Sequence, residues 1–304
     1  MTAPRGRAAA GVAYAAAAYG TWGLFPLYFR SLLGVPAPEI LSHRILWSVV
    51  FVTAFVTLRR RWAEVASQLR TPGTLPRLAA SALFIATNWL VYIWAVNSGR
   101  VLEASLGYFV NPLVTVALGV VFLRERLTSR QLVAVALAGA GVLAMVVRAH
   151  ALPWVALALA VTFGAYGLIR KRVRVEPTAG LLGEVLLLSP VALAYVAWLE
   201  HAGLSHFGPN PRFTVLLALS GVVTAIPLIW FVLGVQRLRL ITVGLLQYLN
   251  PTIQFLIAVF VFGEPFTTGH AIAFGCIWVS LALYSFEALR LATAKEPSPA
   301  SGQG

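Results

Sequence analysis

Asn111-Pro112, twelve residues, then Glu125-Arg126-Leu127-Thr128 is followed, 139 positions on, by Asn250-Pro251, twelve residues, then Glu264-Pro265-Phe266-Thr267. The same shift lays Arg100 on Arg239 and Leu106 on Leu245. Short apolar words recur by chance in any oily chain, but an Asn-Pro…Glu-x-x-Thr spacing is not an apolar word, and it reads as an internal repeat. Two residues out of that register, Thr21-x-Gly23 matches Thr162-x-Gly164 and Arg30 matches Lys171.

The chain around these words is built for lipid. Of 304 residues, 59% are apolar and 11% charged, and the mean hydropathy is +0.83. A soluble domain carries roughly a quarter of its residues as charges, so this one would present very large apolar patches to water. A bilayer core about 30 Å thick takes about 20 residues of helix to cross. Stretches of that length run over 8–30, 39–58, 77–97, 102–123, 130–148, 152–169, 180–199, 213–235, 241–262 and 269–290. The expected fold is an all-α polytopic membrane protein of ten transmembrane helices, arranged as two five-helix repeats, 8–148 and 152–290. The polar tail 291–304 is expected to be disordered.

Charge sets the orientation. Arg59-Arg60-Arg61, Arg124, Arg126 and Arg130, Arg170 to Arg174, and Arg237 and Arg239 fall between alternate spans, on the side of both termini. The opposite side carries only Arg100, Arg148 and Arg212. The positive-inside rule then puts both termini in the cytoplasm, and the net charge of +13 is a topology signal rather than a nucleic-acid footprint. Five spans per half is an odd number, so the second repeat enters the membrane from the opposite face. That inverted arrangement suits alternating access about a site near the midplane.

Candidate site residues follow from what hydrocarbon does not tolerate. Pro112 and Pro251 fall near the middle of the fourth and ninth spans. Each removes an N–H and frees the carbonyl four residues back, those of Tyr108 and Gln247, beside Asn111 and Asn250. Such groups must face protein or a wet cavity; the plainer reading is a packing kink. In the second span Glu39 and His43 share a face, and Arg44 lies about 7 Å deeper than Glu39. Glu103, entering from the same side, is expected to pair with Arg44. His43 reads equally as a neutral hydrogen-bonded histidine or a proton carrier. Glu184 reads as a gate at a depth pseudo-equivalent to Arg44, or as the partner of Arg170 or Arg172. Trp89, Trp94, Tyr108 and Tyr248 either wall a cavity that stacks flat molecules or belong to the interfacial aromatic belt, to which Trp22, Trp47, Trp62 and Trp198 are assigned; Asn88, beside Trp89, is placed on the same pathway. Glu125 and Glu264 read as helix caps or local ion pairs. Gly139 and Gly141 read as close helix packing, with a homodimer contact open.

Beyond the repeat, the words Glu39-Ile-Leu-Ser-His43-Arg44, Asn88-Trp89, Ile93-Trp94-Ala-Val-Asn97, Leu102-Glu103-Ala-Ser-Leu-Gly-Tyr108-Phe-Val-Asn111-Pro112 and Arg237-Leu-Arg239-Leu…Gln247-Tyr248 resemble the EamA family of the drug/metabolite transporter superfamily, and within it the RarD, or chloramphenicol-sensitive protein, branch. The resemblance covers almost all of residues 8–290. It implies a bacterial inner-membrane protein whose two halves share a central cavity, and a secondary transporter that exports a small metabolite or drug-like compound. It carries little about the substrate.

Expected partners are a small molecule, the lipid bilayer and protons carried by Glu103 or the Glu39/His43 pair; no nucleic acid is expected. Neither metal nor cofactor is expected: the histidines are scattered, Cys276 is single, and no Gly-x-x-x-x-Gly-Lys, Gly-x-Ser-x-Gly or His-Glu-x-x-His word occurs. An enzyme is therefore not expected. A non-transporting membrane sensor or accessory subunit would account for the spans but leave the repeat without a purpose.

Overall fold

The computed structural model describes residues 5–98, 101–149 and 154–261, with Gly263, Gly275, Trp278, Val279 and Ala282 beyond them. The tenth span, the tail, Glu264 and Thr267 lie outside these residues. Among the described residues every regular element is a helix: α1 (Arg5–Gly23), α2 (Phe25–Arg30), α3 (Ala37–Leu58), α4 (Trp62–Arg70), α5 (Thr74–Asn97), α6 (Val101–Leu123), α7 (Ser129–Ala149), α8 (Trp154–Arg172), α9 (Pro177–His201), α10 (Pro211–Arg237), α11 (Leu240–Leu246) and α12 (Leu249–Phe260). Six stretches within these helices are long and apolar enough to cross a membrane. Large apolar side chains such as Leu83, Val121, Val191 and Phe260 lie outward on the bundle, as a lipid-facing surface requires.

Three details depart from the expected spans. The first is divided into α1 and α2 at Leu24, where Pro26 sits in the opening turn of α2. The ninth is divided at Gln247-Tyr248 into α11 and α12. A short polar helix, α4, occupies the connection between α3 and α5; Arg61 before it reaches both Glu64 and Glu176 (2.7 and 3.7 Å), and Gln68 Oε1 accepts the Glu176 N–H, which ties α4 to the start of α9.

Helix ends follow from local chemistry. Glu176 caps α9 by accepting the Ala179 N–H, Asn210 caps α10 by accepting from Arg212 and Phe213, and a proline occupies the first position of each helix. At the basic end of the bundle, Lys171 donates to the Val235 and Leu238 carbonyls, Arg172 to that of Phe122 and Arg239 to that of Arg126. Cations satisfying the last carbonyls of helices is the favourable sense of the helix dipole.

The core is a ring of crossings: α1 on α10 and α12, α3 on α9 and α10, α5 on α8 and α9, and α6 on α8 and α11. Small residues set how close they come, as apolar helices in lipid require. A Cβ on Gly221 of α10 would lie 2.3–2.4 Å from the backbone of Trp47 on α3, and Ser48 Oγ donates to the Gly221 carbonyl there. A Cβ on Gly139 in α7 would meet nothing within 4 Å among the described residues.

Candidate substrate cavity

Where these crossings meet, they leave a cavity of about 50 Å³ in the middle of the bundle, room for a few waters at about one probe sphere of 10–15 Å³ each. Its polar lining is Arg44 from α3, Asn88 from α5, Asn111 from α6, and Gln247 and Asn250 flanking the break between α11 and α12. Its walls are aromatic: Tyr19 and Trp22 of α1, Phe25 and Phe29 of α2, Trp89, Tyr92, Tyr108 and Phe163.

Three of the polar groups, those of Arg44, Asn88 and Gln247, are held by a neighbouring helix. Arg44, 3% exposed, donates from Nε to Thr224 Oγ1 on α10 at 2.9 Å, and its guanidinium lies 4.5 Å from the Trp89 ring and 5.6 Å from that of Phe29. Asn88 Nδ2 donates to the Leu159 carbonyl (2.8 Å) and to Thr162 Oγ1 (3.0 Å), linking α5 to α8. Thr115 Oγ1 donates to Gln247 Oε1 across the α6–α11 crossing, and Asn250 Oδ1 accepts from Gln254. Asn111 Oδ1 is buried and among the described residues has no hydrogen-bond donor, a group that costs about 1–3 kcal/mol while it stays unmet.

The two prolines do different things. Pro112 is accommodated inside α6, which runs on through it. In the second half the Gln247 carbonyl is taken up by the Asn250 N–H, three residues on, at 3.1 Å, and the chain breaks there. Tyr248 is fully buried beside the cavity and its hydroxyl donates to the Phe109 carbonyl (3.4 Å).

The remaining expected residues lie elsewhere. Glu39, fully buried at the start of α3, accepts the His206 N–H (2.7 Å), and its other oxygen lies 2.8 Å from His206 Nδ1, a residue of the connection between α9 and α10. His43 stacks on Phe207 of that connection (4.8 Å), and among the described residues neither ring nitrogen has a partner. Glu184, near the start of α9, accepts from Ser81 and lies 3.6 Å from Arg170, both ends of the pair about 1–2% exposed. Gly180 makes room for that arginine: a Cβ there would lie 2.1 Å from its guanidinium. Trp94 is 39% exposed and faces Trp154, away from the cavity. The side chain of Glu103 lies outside the described residues, and the expected Arg44–Glu103 pair with it. Glu125 accepts the Leu240 and Ile241 N–H groups (2.8 and 3.0 Å) and so caps α11.

Sequence reasoning missed Tyr19, Phe25, Phe29, Tyr92 and Phe163 as cavity walls and assigned Trp22 to the interface. One signal was available for two of them: Trp22 and Phe163 are the middle residues of the two Thr-x-Gly words. They meet edge to face, 5.6 Å apart.

A bundle of apolar helices around a central cavity with a few polar groups among aromatic walls defines a multi-pass membrane protein. The chain belongs to the EamA-like transporter family, which matches residues 9–147 and 152–286. It is a family of transporters, not enzymes. The chain is 45% identical over 280 residues to the protein RarD of Salmonella typhi, covering 92% of this chain and 95% of that one. It is 46% identical over 287 residues to the uncharacterized transporter YojE of Bacillus subtilis (strain 168), with coverage of 92% and 95%. A solved crystal structure superimposes with a TM-score of 0.69 at 22% identity, over 93% of this chain and 99% of the other, a likeness of fold alone.

Proposed function

We propose that the chain is a secondary transporter of the bacterial inner membrane, with both termini cytoplasmic, that exports a small metabolite or drug-like compound by alternating access. Two inverted five-helix halves, 8–148 and 152–290, rock about the central cavity, which enlarges from its closed volume when substrate enters. Asn111, Asn250, Tyr108, Gln247, Asn88 and Trp89 line the pathway. Pro112, Pro251 and Tyr248 shape it.

The observation that carries this reading is that the cavity is built from pairs the repeat makes equivalent. Asn111 and Asn250, Tyr108 and Gln247, and Trp22 and Phe163 all line it. Phe109 and Tyr248, likewise 139 apart, touch. A Cβ on Gly23 would press on Ile253 and one on Gly164 on Val114, the same contact made once in each direction. The helix crossings also map onto one another when the halves are exchanged: α1 on α10 with α8 on α5, α1 on α12 with α8 on α6, α3 on α10 with α9 on α5. Arg124 (φ 53°) and Gly263 (φ 69°), again 139 apart, both take the left-handed conformation just before a glutamate. An axis through a polar cavity is what a carrier that opens to either side needs; a sensor has no use for it.

On this reading the buried pairs Glu39–His206 and Arg170–Glu184 stand at the starts of the equivalent helices α3 and α9 and close the two ends of the pathway. Proton coupling through Glu103 predicts a pH dependence of transport that Glu103→Gln flattens; unchanged pH dependence rejects that role.

The test is untargeted mass spectrometry of medium and cells from strains carrying the wild type, Asn111→Ala or an empty vector. A compound moved outward by the wild type and not by the variant supports both export and the site. Equal movement by the variant rejects the site. No difference among the three strains, with the protein confirmed in the membrane, rejects export.

A further inference from the structure

Resting on the cavity reading above, the charge and the unmet groups of the cavity define the chemical class of its ligand. Among its described lining residues only Arg44 carries a permanent charge. A guanidinium held at this depth is costly unless something answers it. Its Nε–H is committed to Thr224 and its face to Trp89, and among the described residues no oxygen accepts from its two terminal nitrogens. Those nitrogens form the planar fork that binds a carboxylate with two parallel hydrogen bonds. Asn111 Oδ1, buried on the same cavity, is an acceptor with no donor. Between and around them the surface is aromatic, shaped for a flat apolar body.

We propose that the cavity selects small aromatic monocarboxylates that also carry one hydrogen-bond donor. Arg44 binds the carboxylate, Thr224 and Trp89 hold the guanidinium in place, and Asn111 accepts from an uncharged donor on the ligand, such as a hydroxyl. The carried species bears net negative charge, so the inside-negative potential of a bacterial membrane drives it outward, in the sense of export.

Three related probes separate these roles: 3-phenyllactate has the carboxylate and a hydroxyl donor, 3-phenylpropionate lacks the donor, and 3-phenyllactamide lacks the charge. Binding to the full-length protein in lipid nanodiscs is read from ligand-dependent thermal stabilisation. Wild type is expected to bind phenyllactate roughly tenfold more tightly than either analogue, because each analogue leaves one buried polar group unmet. Arg44→Gln is expected to erase the preference for acid over amide, Arg44→Lys to keep it in weakened form, and Asn111→Ala to erase only the preference for phenyllactate over phenylpropionate. A ligand-free melting curve of each variant distinguishes lost binding from lost folding, and Arg44→Lys carries the test if Arg44→Gln does not fold. In proteoliposomes loaded with phenyllactate, a potential negative inside is expected to speed efflux.

Equal binding of acid and amide by the wild type, an acid preference that survives in Arg44→Gln, no binding of phenyllactate, or efflux indifferent to the potential would each overturn the proposal. Phenyllactate binding left undiminished in Asn111→Ala would do so while leaving the cavity as the binding site. The cavity reading itself fails only in the strain comparison described above.

Discussion

The two Asn-Pro words sit in equivalent helices and yet end in different structures. α6 continues unbroken through Pro112, whereas the chain around Pro251 parts into α11 and α12 at Gln247-Tyr248. Proline does the same local damage in both, so the difference comes from neighbours. Gly244 lies against α6 so closely that a Cβ would sit 2.9 Å from the Pro112 carbonyl oxygen, and Glu125 caps α11 at its start. α11 is therefore held against α6 at its middle and by a residue just past the end of α6 at its cap, while α12 packs mainly on α1, where Ile253 meets Gly23. The lesson is that a proline in a membrane helix offers a hinge, and tertiary contacts decide whether it is used.

That contrast can be broken experimentally. The largest effect is expected from Pro251→Ala: residue 251 regains an N–H for the Gln247 carbonyl, α11 and α12 fuse, and export falls about tenfold, or about 1.4 kcal/mol of barrier. Pro112→Ala, in a helix already continuous, is expected to leave the rate within about twofold, equivalent to under about 0.5 kcal/mol. Equal losses in the two variants would remove the asymmetry argued here; both are read as initial efflux rates at matched expression.

Among effects on stability rather than on export, the largest is expected from Glu125→Ala, which strips two charge-assisted bonds from the α11 amides and should cost about 3 kcal/mol, read as a fall in melting temperature in detergent. The repeat predicts a comparable loss for Glu264→Ala, and a silent Glu264→Ala would count against the equivalence of the halves. Gly244→Ala forces a methyl onto the Pro112 carbonyl and should cost about 2 kcal/mol, within the usual range for overpacking. The same substitution at Gly139, which meets no neighbour among the described residues, should be neutral or slightly favourable. The smallest effect is at Arg124, a side-chain-bearing residue held at φ 53° where the second half has Gly263. Arg124→Gly should stabilise the protein by about 0.5–1 kcal/mol by relieving that conformation.

The spans and the two Asn-Pro words were legible because both rest on local rules: helix length against bilayer thickness, and the loss of one N–H. The break at Gln247 was not, since the residue that enforces it, Gly244, acts on a carbonyl 132 positions away. Glu39 and His43 read as sharing a face, but the group that answers Glu39 is His206, far along the chain and in a connection that carries no periodic signal. Trp22 was assigned to the interface by residue type, although its position inside Thr21-x-Gly23 and the match to Phe163 pointed inward. α4 escaped notice because it is short and polar, recognisable only from its ties to α9. Arg44 shows the same limit from the other side: its depth in the second span was readable, but its anchor, Thr224, and its stacking on Trp89 are products of the fold.

The central claim is that Asn111 and Asn250 face one cavity that opens in turn to each side of the membrane. It is tested most directly by placing a cysteine at either position in a Cys276→Ser background and labelling with a membrane-impermeant thiol reagent, in right-side-out and inside-out vesicles. The account predicts that both positions react from both sides. Reaction from one side only, or from neither, would contradict alternating access through this cavity.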